Sequence, residues 1–150
     1  MAPVCYTGCM NAEEMWRSAR GYLTQGVAPY TAWAFFGKTG EQTDRLAFLA
    51  AQGIKRATTS LYADYKESGD PIPVAGDYSV VLDAKGEAVC VIVDEKVSVV
   101  PFGTVDEAYA AKEGEGGTSL AFWREAHRQA FPGIKDDDLV VCEEFRKVYP

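Results

Sequence analysis

Residues 77–100 constrain the fold more than any other stretch. Tyr78-Ser79-Val80-Val81-Leu82 is rich in β-branched residues, Asp83-Ala84-Lys85-Gly86 has turn composition, and Ala88 to Val93 is a continuous apolar run. After Asp94-Glu95 comes Lys96-Val97-Ser98-Val99-Val100. Three short runs of this kind, separated by a few turn-forming residues, predict three strands in a meander or barrel. Leu139-Val140-Val141-Cys142 begins a fourth strand, ending near Tyr149. Helical patterns surround them. Asn11 is placed to cap a helix whose apolar face is Ala12, Met15, Trp16, Ala19, Tyr22 and Leu23. Thr39-x-x-Gln42 has the form of a capping box and opens a helix to about Gln52. Val105 to Lys112 forms another, and Thr118 or Ser119 opens a last one in which Leu120, Trp123, His127 and Phe131 share a face. Tyr30 to Phe36 is short and aromatic, and is assigned to core packing. Strands, then helices, then a returning strand give an α+β domain round a small barrel.

Length and charge narrow the function. At 150 residues the chain is expected to be one domain, residues 1–150. It carries 15 basic and 22 acidic residues, a net charge of -7, with the acidity in the latter two-thirds. Proteins that hold long nucleic acids do so through many Lys and Arg contacts to phosphate. No basic tail is present here, so the composition favours a small ligand or a short single strand. No leader-like N-terminus and no apolar run of about 18–20 residues is found, which predicts a cytoplasmic protein with no membrane partner. Of the four cysteines, Cys90 and Cys142 lie in apolar runs as buried thiols. Cys5-x-x-x-Cys9 lacks a second ligand pair, so no metal site and no cofactor is expected.

The chemistry concentrates in Gly53-Ile54-Lys55-Arg56-Ala57-Thr58-Thr59-Ser60-Leu61-Tyr62. Gly53 suits the left-handed position after a helix, and a polar loop leading to a helical turn over Ser60–Lys66 is expected behind it. Lys55 and Thr58 supply an amine and a hydroxyl three residues apart. A hydroxyl becomes a nucleophile only when a base takes its proton. A second polar stretch, Glu113-Gly114-Glu115-Gly116-Gly117, offers two carboxylates among glycines that permit close backbone approach. Glu115 is the first choice as partner for Lys55 and Glu113 the alternate. Arg124 can hold an anion through its planar fork, and Tyr62 can stack on a base. His127, the sole histidine, reads better as a hydrogen-bonded core residue than as a catalyst.

Gly53-x-Lys55-x-x-Thr58 followed by Ser60-Leu61-Tyr62 resembles the signature of the ASCH domain family. Further blocks agree in order: Pro73-Val74-Ala75-Gly76-Asp77-Tyr78, Val89-Cys90-Val91-Ile92, Pro101-Phe102, Glu113-Gly114-Glu115-Gly116, Trp123-Arg124 and Val141-Cys142-Glu143-x-Phe145. The resemblance runs from about Trp33 to the C-terminus and leaves residues 1–32 as an N-terminal helical extension. It implies a PUA-like fold, a small mixed β-barrel with flanking helices. It also implies one of three functions. The leading expectation is an RNA-directed hydrolase cleaving single-stranded RNA, with Lys55, Thr58 and Glu115 as catalytic residues and Arg56, Tyr62, Glu113 and Arg124 binding substrate. The alternatives are an amidohydrolase removing the acetyl group from N4-acetylcytidine and a non-catalytic module binding RNA or a modified nucleotide. Where many relatives carry an acidic residue this chain has Gly117, so a third carboxylate is not expected.

Overall fold

The computed structural model describes residues 10–23, 29–115 and 119–150. Five strands make one curled half-barrel: β1 (Tyr30–Ala34), β2 (Ala57–Leu61), β3 (Tyr78–Leu82), β4 (Ala88–Pro101) and β5 (Leu139–Tyr149). Their order is β1-β3-β4-β5-β2. β1 runs parallel to β3, and every other pairing is antiparallel. The helices are α1 (Ala12–Arg20), α2 (Gly40–Ala51), α3 (Tyr62–Ser68), α4 (Glu107–Glu113) and α5 (Leu120–Ala130). The α+β, PUA-like architecture expected from the sequence is therefore the one observed.

Consecutive strand residues point to opposite faces, and the core divides accordingly. Val80 and Val91 pack with Met15, Trp16 and Ala19 of α1. Val81, Cys90 and Ile92 point the other way, into a cluster with Phe35, Leu46, Ala47, Ala50 and Phe145. A third cluster joins Ala57, Val140 and Cys142 to Phe102, Tyr109 and Trp123. Burying side chains of this size stabilises the fold by about 1.5–3 kcal/mol each. Asn11 caps α1 in a reciprocal box with Glu14, at 2.8 and 3.2 Å. Thr39 caps α2 through the Gln42 amide, whereas the Gln42 side chain accepts from Lys38 N instead of closing the box.

Five local expectations are corrected. Lys96–Val100 is not a separate strand: Asp94-Glu95 is no turn but a bulge within the 14-residue β4, where the register against β5 shifts between Asp94 and Lys96. β5 pairs on both sides of the bulge and holds the acidic residues in line. Tyr30–Ala34 is a strand, because the exposed edge of β3 supplies a parallel partner that no local pattern reveals. The hydroxyl-rich stretch is an edge strand, with Thr58 opposite Glu143 and Ser60 opposite Val141 on β5. The helix behind it begins at Tyr62. Leu120, on the apolar face expected for the last helix, is only half-buried at the first turn of α5.

Candidate active site in the cleft beside β2

Two turns bring the polar groups together. α2 stops at Gly53, which takes φ 76°, and the amides of Ile54 and Lys55 both bond back to Leu49 O. The chain then enters β2 with Lys55 turned inward. On the facing side α4 ends at Glu113, and Gly114 takes the left-handed φ of 66°. A Cβ at Gly114 would stand 2.6 Å from Ile54 O, so only glycine allows this approach. The reversal at Gly114 aims Glu113 and Glu115, two residues apart, at the same amine.

Lys55 is buried, 1% exposed. Its Nζ donates to Glu115 Oε2 at 2.8 Å, Glu113 Oε1 at 3.3 Å and Glu113 O at 3.4 Å. Three donors are what an ammonium provides, and all three are in use. Phe35 lies beneath it, 5.0 Å from Nζ to the ring centre. Glu113 is the hub. Its Oε2 accepts from Thr59 Oγ1 at 2.6 Å and Trp123 Nε1 at 2.9 Å, and His127 Nε2 stands 3.2 Å away. His127 Nδ1 faces Trp123 O at 2.8 Å, so both ring nitrogens meet acceptors and both call for a proton.

The charges follow from these contacts. Burial alone would raise the Glu113 carboxyl, but Lys55 and His127 outweigh it and hold the group well below the usual carboxylate range. Burial opposes charge on His127, yet the bond to Glu113 raises it above the ordinary imidazole value. Glu115 goes the other way: burial raises it, Lys55 opposes, and the nearby Glu113 adds to the rise. Its side chain remains 34% exposed to the cleft. The Tyr109 hydroxyl, pushed well up chiefly by burial, donates to Thr58 O at 2.6 Å and stands 3.0 Å from Thr59 Oγ1.

A cleft of about 1040 Å³ opens over this cluster. Lys55, Thr58, Glu113 and Glu115 all line it. Its acidic lining is Asp64, Asp70, Asp77, Asp94, Glu113, Glu115 and Glu143, against Lys38 and Lys55 and no arginine. Three residues expected at the substrate do not line it. Arg124 spends its guanidinium on Phe102 O, Gly103 O and Val105 O at 3.0–3.2 Å, pinning the loop between β4 and α4. Arg56 points to solvent, and Tyr62 lies beneath Lys66, 5.9 Å from its Nζ. The Lys55 amine is also the counter-ion of a buried carboxylate. Thr59, Tyr109, Trp123 and His127 were not assigned to the site from sequence. The i, i+4 spacing of Trp123 and His127 on one helical face was the signal that could have paired them. Among the described residues no group of His, Cys, Asp and Glu could hold a metal ion. Cys5 and Cys9 lie outside the described residues. Burial pushes Cys90 up to about 12 and Cys142 to about 11, so neither is a reactive thiolate. No described helix is long and apolar enough to cross a membrane.

The comparisons with known proteins place this chain in a family. The model for the ASCH domain matches residues 31–149. The chain belongs to the ASCH domain family. It is similar to the crystal structure of an ASCH domain from Lactobacillus crispatus JV V101, with 32% identity and TM-score 0.82, covering 92% of this chain and 94% of that one. It is also similar to a protein from Enterococcus faecalis V583, with 29% identity and TM-score 0.81, covering 93% and 88%. The fold alone is shared with a hypothetical protein of 16% identity and TM-score 0.54, covering 79% of this chain and 98% of that one. No curated protein matches the sequence.

Proposed function

We propose that the cleft hydrolyses an amide on a small, non-anionic nitrogen compound of nucleoside size, N4-acetylcytidine being the family substrate that fits this description. The observation that carries the reading is the contact of Glu115 with Lys55 at 2.8 Å, inside a cleft whose lining is acidic. Glu115 is the one member of the cluster that combines cleft exposure with a raised carboxyl, which suits a group that takes and returns a proton. Glu113, held low by four donors, is a poor base and serves to fix Lys55. In this reading Glu115 takes a proton from water as the water attacks the amide carbon. As Glu115 takes up that proton its hold on the Lys55 ammonium weakens, and the donor so released stabilises the oxygen that becomes negative. Glu115 then protonates the leaving nitrogen, and the products are a carboxylate and an amine. Thr58, which lines the cleft, orients the amide.

A phosphodiester fits less well. Its charge would enter among seven carboxyl groups, and the cations at the cluster are already engaged, Lys55 with Glu113 and Glu115 and His127 with Glu113. The arginines that could have met a phosphate are turned elsewhere. The test is to incubate the protein with N4-acetylcytidine and, separately, labelled single-stranded RNA. Acetate release with the RNA intact is expected; RNA cleavage with no acetate release would overturn the reading.

A further inference from the structure

Glu143 and Asp94 are used by nothing described so far. Glu143 stands on β5 directly opposite Thr58 of β2, so their side chains are neighbours on one face. Asp94 sits at the β4 bulge, opposite Phe145, which lies two residues beyond Glu143 on that same face. Bulges re-aim side chains in this way. Both carboxyls are more than nine-tenths buried, Asp94 at 4% and Glu143 at 5% exposed, and both line the cleft. Each carboxyl shifts the titration of the other, so the two are close neighbours. Among the described residues, neither pairs with a lysine, arginine or histidine. Asp77 is close by, its own carboxylate accepting from Val74 N at 3.0 Å. Tyr65 and Ser60 also line the cleft.

Buried charges in proteins are ordinarily paired with an opposite charge or fully hydrogen-bonded. Here burial first, and mutual repulsion next, push Glu143 up to about 9. Burial likewise raises Asp94, to about 6. Near neutral pH the pair therefore holds one proton and one negative charge. The remaining carboxyl oxygens are acceptors, and the space in front of them is the cleft.

We propose that Asp94 and Glu143 form a substrate subsite for a group bearing two adjacent hydrogen-bond donors and no negative charge. Two chemistries supply such a group: the cis-diol of a ribose and an alkylammonium. The assignment rests on the cleft's being a substrate cleft, as in the hydrolase reading, but requires no turnover for its test. A ligand with its amide at Lys55 and Thr58 would reach the pair across the Thr58–Glu143 rung. The same oxygens repel phosphate, so the subsite also selects against nucleotides.

Binding to the whole protein is measured by calorimetry at pH 7 with cytidine, 2′-deoxycytidine, cytidine 5′-monophosphate and putrescine. Cytidine bound about tenfold more tightly than its deoxy analogue identifies a diol, whereas binding of putrescine identifies an ammonium. In either case the monophosphate binds more weakly than cytidine, and both Asp94→Asn and Glu143→Met weaken the favoured probe by about tenfold or more. Asp94→Asn retains shape and polarity and so guards against a folding defect in the other variant. If neither cytidine nor putrescine binds, or both variants bind as the wild type does, the subsite is refuted. Acetate release from N4-acetylcytidine is read separately: the subsite variants raise KM with kcat little changed, so failure of the subsite and failure of the hydrolase reading give different results.

Discussion

Glu113 and Glu143 are both glutamates, both nearly inaccessible to solvent, and both face the same cleft. Their states are opposite. Glu113 receives hydrogen bonds from Lys55, Thr59, Trp123 and His127 and is held ionised. Glu143 has another carboxyl as its neighbour and is pushed up to about 9. Burial is common to both, so the partners decide. The first centre is closed, with Lys55 and His127 balancing Glu113 and Glu115. The second is open, with acceptor oxygens that no described cation satisfies. A closed centre holds catalytic groups in place; an open one leaves binding capacity for something else.

The largest expected effect follows from breaking the closed centre. Glu113→Leu leaves the Trp123 indole and the Thr59 hydroxyl without their acceptor and takes one of its two carboxylates from the buried Lys55 ammonium, and should cost about 3–5 kcal/mol in urea unfolding. Lys55→Met removes the other partner and should destabilise by a similar amount while abolishing hydrolysis. Lys55→Arg keeps a charge but not the geometry, and should retain more stability than activity. A Glu113→Leu protein as stable as the wild type would show that the hub is not structural.

The open centre should respond with the opposite sign. Glu143 binds its proton more tightly in the folded chain, at about 9, than at the ordinary carboxyl value of 4.5. Its contribution to stability is therefore fully present below pH 4.5 and is lost as pH rises toward 9, by up to about 1.4 kcal/mol per pH unit. Glu143→Gln removes that loss. It should unfold at a higher temperature than the wild type at pH 8, with the advantage shrinking by pH 5. Equal melting temperatures at both pH values would mean that the pair is not the uncompensated site described here.

A smaller effect separates structure from binding at Arg124. Its three carbonyl contacts make Arg124→Ala a stability variant, costing about 1–3 kcal/mol, with ligand affinity in the calorimetric assay unchanged. Lost affinity at full stability would return Arg124 to the substrate.

Much of the fold was legible in the chain. Alternating and β-branched runs marked β3, the first half of β4 and β5, and caps at Asn11, Thr39 and Ser119 marked three helix starts. β1 and β2 were not legible as strands, because each is an edge strand whose existence depends on a distant partner. The proximity of Lys55, Glu113 and Glu115 was readable from glycine-flanked polar stretches. The hub was not: Thr59, Tyr109, Trp123 and His127 come from three elements, and their convergence depends on how α4 and α5 lie against β2. Arg124 misled because a guanidinium suited to phosphate is equally suited to backbone carbonyls. Asp94-Glu95 read as a turn because two acids inside an apolar run are normally excluded from a sheet, and here one of them is buried at a bulge.

The proton-transfer role of Glu115 is the central claim, and Glu115→Gln tests it most directly. Glutamine keeps the size of the side chain and an oxygen for Lys55, but cannot accept a proton from water. Steady-state acetate release from N4-acetylcytidine should fall in kcat by about 10²-fold or more, with KM little changed and the melting temperature near that of the wild type. A Glu115→Gln enzyme that released acetate at the wild-type rate would contradict the account.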